Sequence, residues 1–239
     1  MSGRPRIAGL RVVMSWPQDS QFAPQSPPRG RGRIRFAGFA GASLIVGGAM
    51  AILIAALAQQ HAPAPAASAA GDIGPAGVTG PTLRQSPPVS VSIPEIGVRS
   101  KLLRLGRNAD GTMQVPNLNT QASEAAWYRY SATPGQAGAA VIEGHVDSYR
   151  GPAVFFRLGA LKPGDHIDVT LADGVTAVFR VTGVREYAKD KYPAGVIYGH
   201  ASYAALRVIT CGGDFDRSTG HYLNSLVVFA SLVSSTHAS

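Results

Sequence analysis

Beyond Pro88 the chain is built from short runs that alternate apolar and polar residues, and that period-2 pattern is the strongest constraint on its fold. The runs are VSVSIPEIGV, DGTMQVP, AAVIEGH, HIDVTLADG, TAVFRVTGVREY, ALRVITC and NSLVVFASLV. Tight-turn signals separate them at Asp110-Gly111, Lys162-Pro163-Gly164-Asp165 and Ala172-Asp173-Gly174. Strands of this length and spacing predict a mainly β domain over 89–239, a closed or packed antiparallel sheet. PAVFFRLGAL, residues 152–161, predicts a short helix or turn. No repeat at a fixed period is present.

The first 88 residues follow different rules. Phe36–Ala58 contains no charge over 23 residues and reaches about 34 Å as a helix, enough to cross a bilayer. Residues 1–35 hold Arg4, Arg6, Arg11, Arg29, Arg31, Arg33 and Arg35 against Asp19 alone, so this tail carries +6 of the net +8. Basic residues packed just before an apolar run set membrane orientation. We therefore expect a cytoplasmic tail over 1–35, a single transmembrane helix over 36–58, and a following domain outside the cell. The charge is spent on that tail rather than on a folded basic face, which argues against a nucleic-acid partner. A cleaved signal peptide is the competing reading, since Ala56-Leu57-Ala58 resembles a cleavage site, but the 35-residue prefix and the long apolar run favour a retained anchor. Residues 59–88 are alanine, proline and glycine with few large apolar side chains, so a flexible tether is expected there.

A single cysteine, Cys211, excludes an internal disulfide and a CxxC zinc site. It closes ALRVIT and precedes Gly212-Gly213, where a strand end meets backbone able to approach a ligand and turn amides toward an oxyanion. A lone thiol is often only a small buried apolar residue. His145, in VIEGHVD, also stands at a strand end beside glycine, and an imidazole there can exchange a proton with a thiol. The other histidines lack that setting: His61 is in the tether, His166 and His221 in turns, His200 in a polar loop and His237 in the tail. Arg217 is the cation nearest to Cys211 in sequence, with Arg207 and Arg150 as weaker candidates for stabilising a developing oxyanion. Thr210 can contact a substrate backbone or simply pack, and Asp147 can orient His145 or simply be a solvated turn acid. Glu143, an acid within an apolar strand, has no sequence explanation.

SIPEIGV, AAWYRY, PGQAGAAVIEGH, GPAVFFRL, GDHIDV, VITCGGDFD and LVVFA, in this order over about residues 88–232, resemble the sortase family, and in detail its actinobacterial class F. The resemblance implies an eight-stranded β-barrel and a cysteine transpeptidase with a Cys, His and Arg site and neither metal nor organic cofactor. It implies that Cys211 attacks the Thr-Gly amide of an LPXTG-like sorting signal, and that an amine of a cell-wall precursor or a pilin resolves the thioacyl enzyme. His145 would serve both amines as acid and base. In much of the family the arginine lies on the last strand, where this chain has Leu223-Asn224-Ser225. Arg217 is therefore assigned the role, with Asn224 or backbone amides as the substitute donors. A hydrolytic cysteine peptidase and an inert wall-binding barrel are the rival readings.

Overall fold

A computed structural model describes residues 61–75, 80 and 82–237. The tail and apolar run over 1–58 lie outside the described residues, and among those that are described no helix is long and apolar enough to cross a membrane.

The strands are β1 (Pro88–Ile93), β2 (Val98–Leu105), β3 (Ala125–Tyr128), β4 (Gly138–Glu143), β5 (Asp147–Ser148), β6 (Gly151–Pro152), β7 (His166–Leu171), β8 (Val175–Ala188), β9 (Ala204–Asp216) and β10 (His221–His237). Eight of them close into a barrel in the order β1-β2-β3-β4-β9-β10-β8-β7, and β5 and β6 form a small separate ribbon. The expected barrel and its turns are present, but two ladders are parallel, β2 with β3 and β4 with β9. Parallel neighbours need long crossovers, which the sequence supplies as the stretches between Leu105 and Ala125 and between Glu143 and Ala204. DGTMQVP forms no strand and contributes one bridge, Arg107 with Met113. Within 152–161 a short 3-10 turn forms at Leu158–Ala160.

Period-2 geometry divides β9 into two buried faces. Leu206 and Val208 join Ile142, Phe179, Val228 and residues from all eight barrel strands in the interior core. The other face carries Arg207, Ile209 and Cys211; Ile209 packs with Val141, Val227, Phe229, Tyr128, Met113 and Ile197 in a second cluster. That cluster is flanked by Tyr187, Tyr192 and Tyr198, so the β8–β9 connection roofs the outer face of β4, β9 and β10. Burial on both sides explains why ALRVITC carries apolar residues in both phases of the strand.

The tether expectation is corrected for the described residues of 61–87. Residues 61–75 lie along the barrel as a strap: Ala67–Ala70 forms a 3-10 turn with Ala69 1% exposed. The Asp72 amide donates to the Thr182 carbonyl at 3.0 Å, and Arg185 donates to the carbonyls of Ala70 and Gly71. Further along, the Gly80 and Leu83 amides donate to the Leu232 and Gly135 carbonyls. The composition argument counted only apolar side chains, whereas this segment is held through its backbone, with small residues permitting the approach. A Cβ on Gly159 would stand 1.9 Å from the Pro63 carbonyl oxygen. Gly159→Val is therefore expected to lift the strap, with a stability loss of about 1–3 kcal/mol. Hydrogen exchange at the Asp72 amide reports it: faster exchange is expected, and an unchanged rate would show that the strap is not pinned at Gly159.

Candidate active site

The β4–β9 ladder sets the site. Its parallel register pairs Ile142 with Val208 and Glu143 with Ile209. The Gly144 amide then donates to the Ile209 carbonyl at 3.2 Å, and the Thr210 hydroxyl to the Gly144 carbonyl at 2.8 Å. His145 follows β4 by two residues beyond the Glu143–Ile209 pair, Cys211 follows Ile209 by two on β9, and alternation puts the thiol on the outer face with Ile209. The sequence expectation of two glycine-flanked strand ends holds for β4, which ends at Glu143, but is corrected for Cys211: β9 runs on through Gly212-Gly213 to Asp216, still paired with β10, so the thiol stands within a strand.

His145 is 7% exposed, and its Nε2 lies 2.6 Å from the Pro116 carbonyl oxygen. A carbonyl only accepts, so the neutral ring carries its proton on Nε2 and leaves Nδ1 as the basic atom. Burial lowers the imidazole pKa below its ordinary value of 6.5, opposed by the Pro116 bond and by the Asp147 charge. Cys211 is half-buried, and burial pushes its thiol up to about 11. Lys189 opposes that shift by charge and by a hydrogen bond, its Nζ lying 3.5 Å from Sγ, while Asp147 and Glu143 add to it. Near neutral pH both groups are therefore uncharged at rest.

The supporting residues divide. Asp147, on β5, accepts a hydrogen bond from the Tyr222 hydroxyl, which fixes the acid near the histidine and thiol whose charges it influences. Thr210 is 2% exposed and its hydroxyl is engaged by Gly144, so it braces the histidine loop. Asn224 pairs with Gly212, one residue out of phase with the Ser225–Cys211 pair, so it belongs to the opposite face; its amide donates to Glu186 at 2.6 Å. Arg217 is exposed in the β9–β10 turn, six residues beyond Cys211, which is about 20 Å along an extended strand. The fold does not bring Asn224 or Arg217 to the thiol. Arg207 shares the face of Cys211 but is 4% exposed, stacked over Phe229 at 4.7 Å and about 13 Å back along β9. Arg150 lies over the Tyr149 ring in the exposed β5–β6 turn.

Sequence reasoning missed Lys189, Tyr222 and the Pro116 carbonyl, all separated in sequence from the residues they serve. Glu143 it named without explanation: the side chain is fully buried and neither carboxyl oxygen has a hydrogen-bond partner. Burial holds its pKa well above the ordinary 4.5. Because the folded value exceeds the unfolded one, the neutral acid's contribution to stability is complete below pH 4.5 and is lost as pH rises toward the folded value. Thermal melts of wild type and Glu143→Gln should therefore separate with rising pH, the variant gaining by several degrees. A gap independent of pH would show that Glu143 does not ionise differently in the two states.

No metal-binding cluster of histidine, cysteine or acids occurs among the described residues. The architecture defines a closed barrel bearing a thiol within β9 and an imidazole just beyond the end of the neighbouring β4. A sortase-domain family model matches residues 91–233, well over half of the chain, and the chain belongs to the sortase family. Among solved structures it is similar to sortase A of Listeria monocytogenes at 17% identity and a TM-score of 0.49, covering 64% of this chain and 91% of that one. It is also similar to a lid mutant of Corynebacterium diphtheriae sortase A at 21% identity and a TM-score of 0.48, covering 63% and 73%. For sortase C1 of Streptococcus agalactiae the identity is 18%, the TM-score 0.47 and the coverage 61% and 66%. No curated protein matches the chain.

Proposed function

We propose that the chain is a cysteine transpeptidase that cleaves an LPXTG-like sorting signal at its Thr-Gly bond and transfers the acyl group to an amine. The observation that carries this reading is that His145 and Cys211 each follow by two residues the Glu143–Ile209 pair of the parallel β4–β9 ladder, in a member of the sortase family. The Cys211 thiolate attacks the threonine carbonyl, His145 having taken the thiol proton. Collapse of the tetrahedral intermediate breaks the C–N bond, and the imidazolium returns its proton to the leaving glycine amine. The acyl group then rests on sulfur as a thioester. An incoming primary amine, from a cell-wall precursor or a pilin lysine, loses its proton to His145, attacks, and expels the thiolate. The roof of Tyr192, Ile197 and Tyr198 over the outer face supports this reading, because shielding the thioester favours amine over water.

The class F-like resemblance, and a retained anchor over 36–58 that places the domain outside the cell, belong to the same reading. They rest on the quoted motifs and on the arginine distribution.

Incubating the full-length chain with an LPXTG-type peptide and excess primary amine tests the assignment, with the products read by mass spectrometry. An amide product is expected. Free acid alone would make the protein a hydrolytic peptidase, and no cleavage together with no Cys211 labelling by a thiol probe would make it an inert module.

A further inference from the structure

The resemblance calls for a cation early in the last strand, just before its apolar run, yet that stretch is Leu223-Asn224-Ser225 and Arg217 lies at a distant hairpin tip. The β8–β10 ladder shows what stands beside it. Asn224 pairs with Ala188 and Ser225 with Tyr187, while Ser225 also pairs with Cys211 on its other side. Tyr187, Ser225 and Cys211 thus form one row across three strands and share a face. Lys189 lies two positions beyond Tyr187, just past the end of β8, as the first residue of a 3-10 turn. It is half-buried, and its Nζ is 3.5 Å from Sγ. The side chain is not an incidental surface lysine, since β8 delivers it to the thiol from the side opposite β4.

We propose that Lys189 is the catalytic cation of this site, its ammonium holding negative charge on the Cys211 sulfur and so replacing an arginine that the last strand lacks. The inference rests on the transpeptidase reading for its consequence but not for its test. The charged and titratable groups acting on the thiol are Glu143 at the end of β4, Asp147 from β5, Tyr222 from β10, Tyr192 from the roof and Lys189 after β8, with His145 two residues beyond Glu143 in the chain. Two of these, Asp147 and Glu143, disfavour a thiolate, and Lys189 opposes them by charge and by hydrogen bond. An ammonium is a compact charge on a flexible stem. It can therefore follow the charge from sulfur to the carbonyl oxygen as the tetrahedral intermediate forms, without a rigid fork being rebuilt.

Cys211 is the sole cysteine, so alkylation of the full-length chain by iodoacetamide, followed against pH, reads this thiol alone. Lys189→Met is expected to raise the apparent thiol pKa by about one to two units. Alkylation near neutral pH should slow by about tenfold or more in step. Lys189→Arg, which keeps the charge, should titrate close to wild type. Lys191→Met, an equal loss of charge at an exposed neighbour, should do the same. A Lys189→Met thiol that titrates as wild type would overturn the proposal, as would equal shifts in Lys189→Met and Lys191→Met. Because alkylation needs no sorting peptide, a chain that showed the Lys189 effect yet transferred no peptide would sink the transpeptidase reading alone.

Discussion

Cys211→Ala is expected to reduce cleavage of an LPXTG-type peptide to background, a fall on the order of 10⁴-fold or more. No second cysteine exists to form an acyl enzyme, and without sulfur the neighbouring Lys189 and His145 have no nucleophile to serve. Cys211→Ser should be nearly as inactive, because a hydroxyl in the same half-buried position is far harder to ionise than a thiol. Both variants should fold, since residue 211 is half-buried on the outer face of β9 while the interior core is carried by Leu206 and Val208. Thermal melts close to wild type, with no acylated protein by mass spectrometry, would complete the result. Retained cleavage by the alanine variant would place the chemistry elsewhere in the molecule.

His145→Gln is expected to lower kcat/KM by about 10²–10⁴-fold. Glutamine keeps a donor for the Pro116 carbonyl, so the loss reports proton transfer rather than a collapsed loop. The leaving group separates the role further. An amide must depart with a proton, whereas an activated ester departs without one, so the defect should shrink when the peptide is replaced by its ester. Equal defects on both substrates would assign His145 to thiol activation alone.

The barrel was legible in the sequence because period-2 alternation and glycine-bearing turns mark strands locally, and HIDVTLADGVTAVFRV became β7 and β8 with the expected turn between them. Parallel pairing was not legible, since alternation says nothing of a neighbour's direction. Cys211 and His145 could be singled out by the glycines that follow or precede them beside apolar runs, although β9 runs on past Cys211 to Asp216, because a Gly-Gly pair does not by itself end a strand. The cation could not: Lys189 is 22 residues from the cysteine, in a stretch whose local pattern resembles any polar turn, and only the three-strand register joins them. Asn224 misled for the same reason, because its place in a motif does not disclose which face of β10 it occupies.

The strap over 61–75 moves the start of the cooperative unit. A chain cut at residue 88 would keep every strand and the whole stretch matched by the family model, and on strand counting it looks like a finished domain. It would nevertheless bare the strip of β8 around Thr182 and Gly183, with a carbonyl and a guanidinium released to water where Asp72, Ala70 and Gly71 now meet them. The natural edge of this barrel is drawn by main-chain adhesion at Ala70, Gly71 and Asp72, well ahead of its first strand at Pro88, so any excision, fusion or proteolytic nick planned from strand boundaries alone falls inside the folded body.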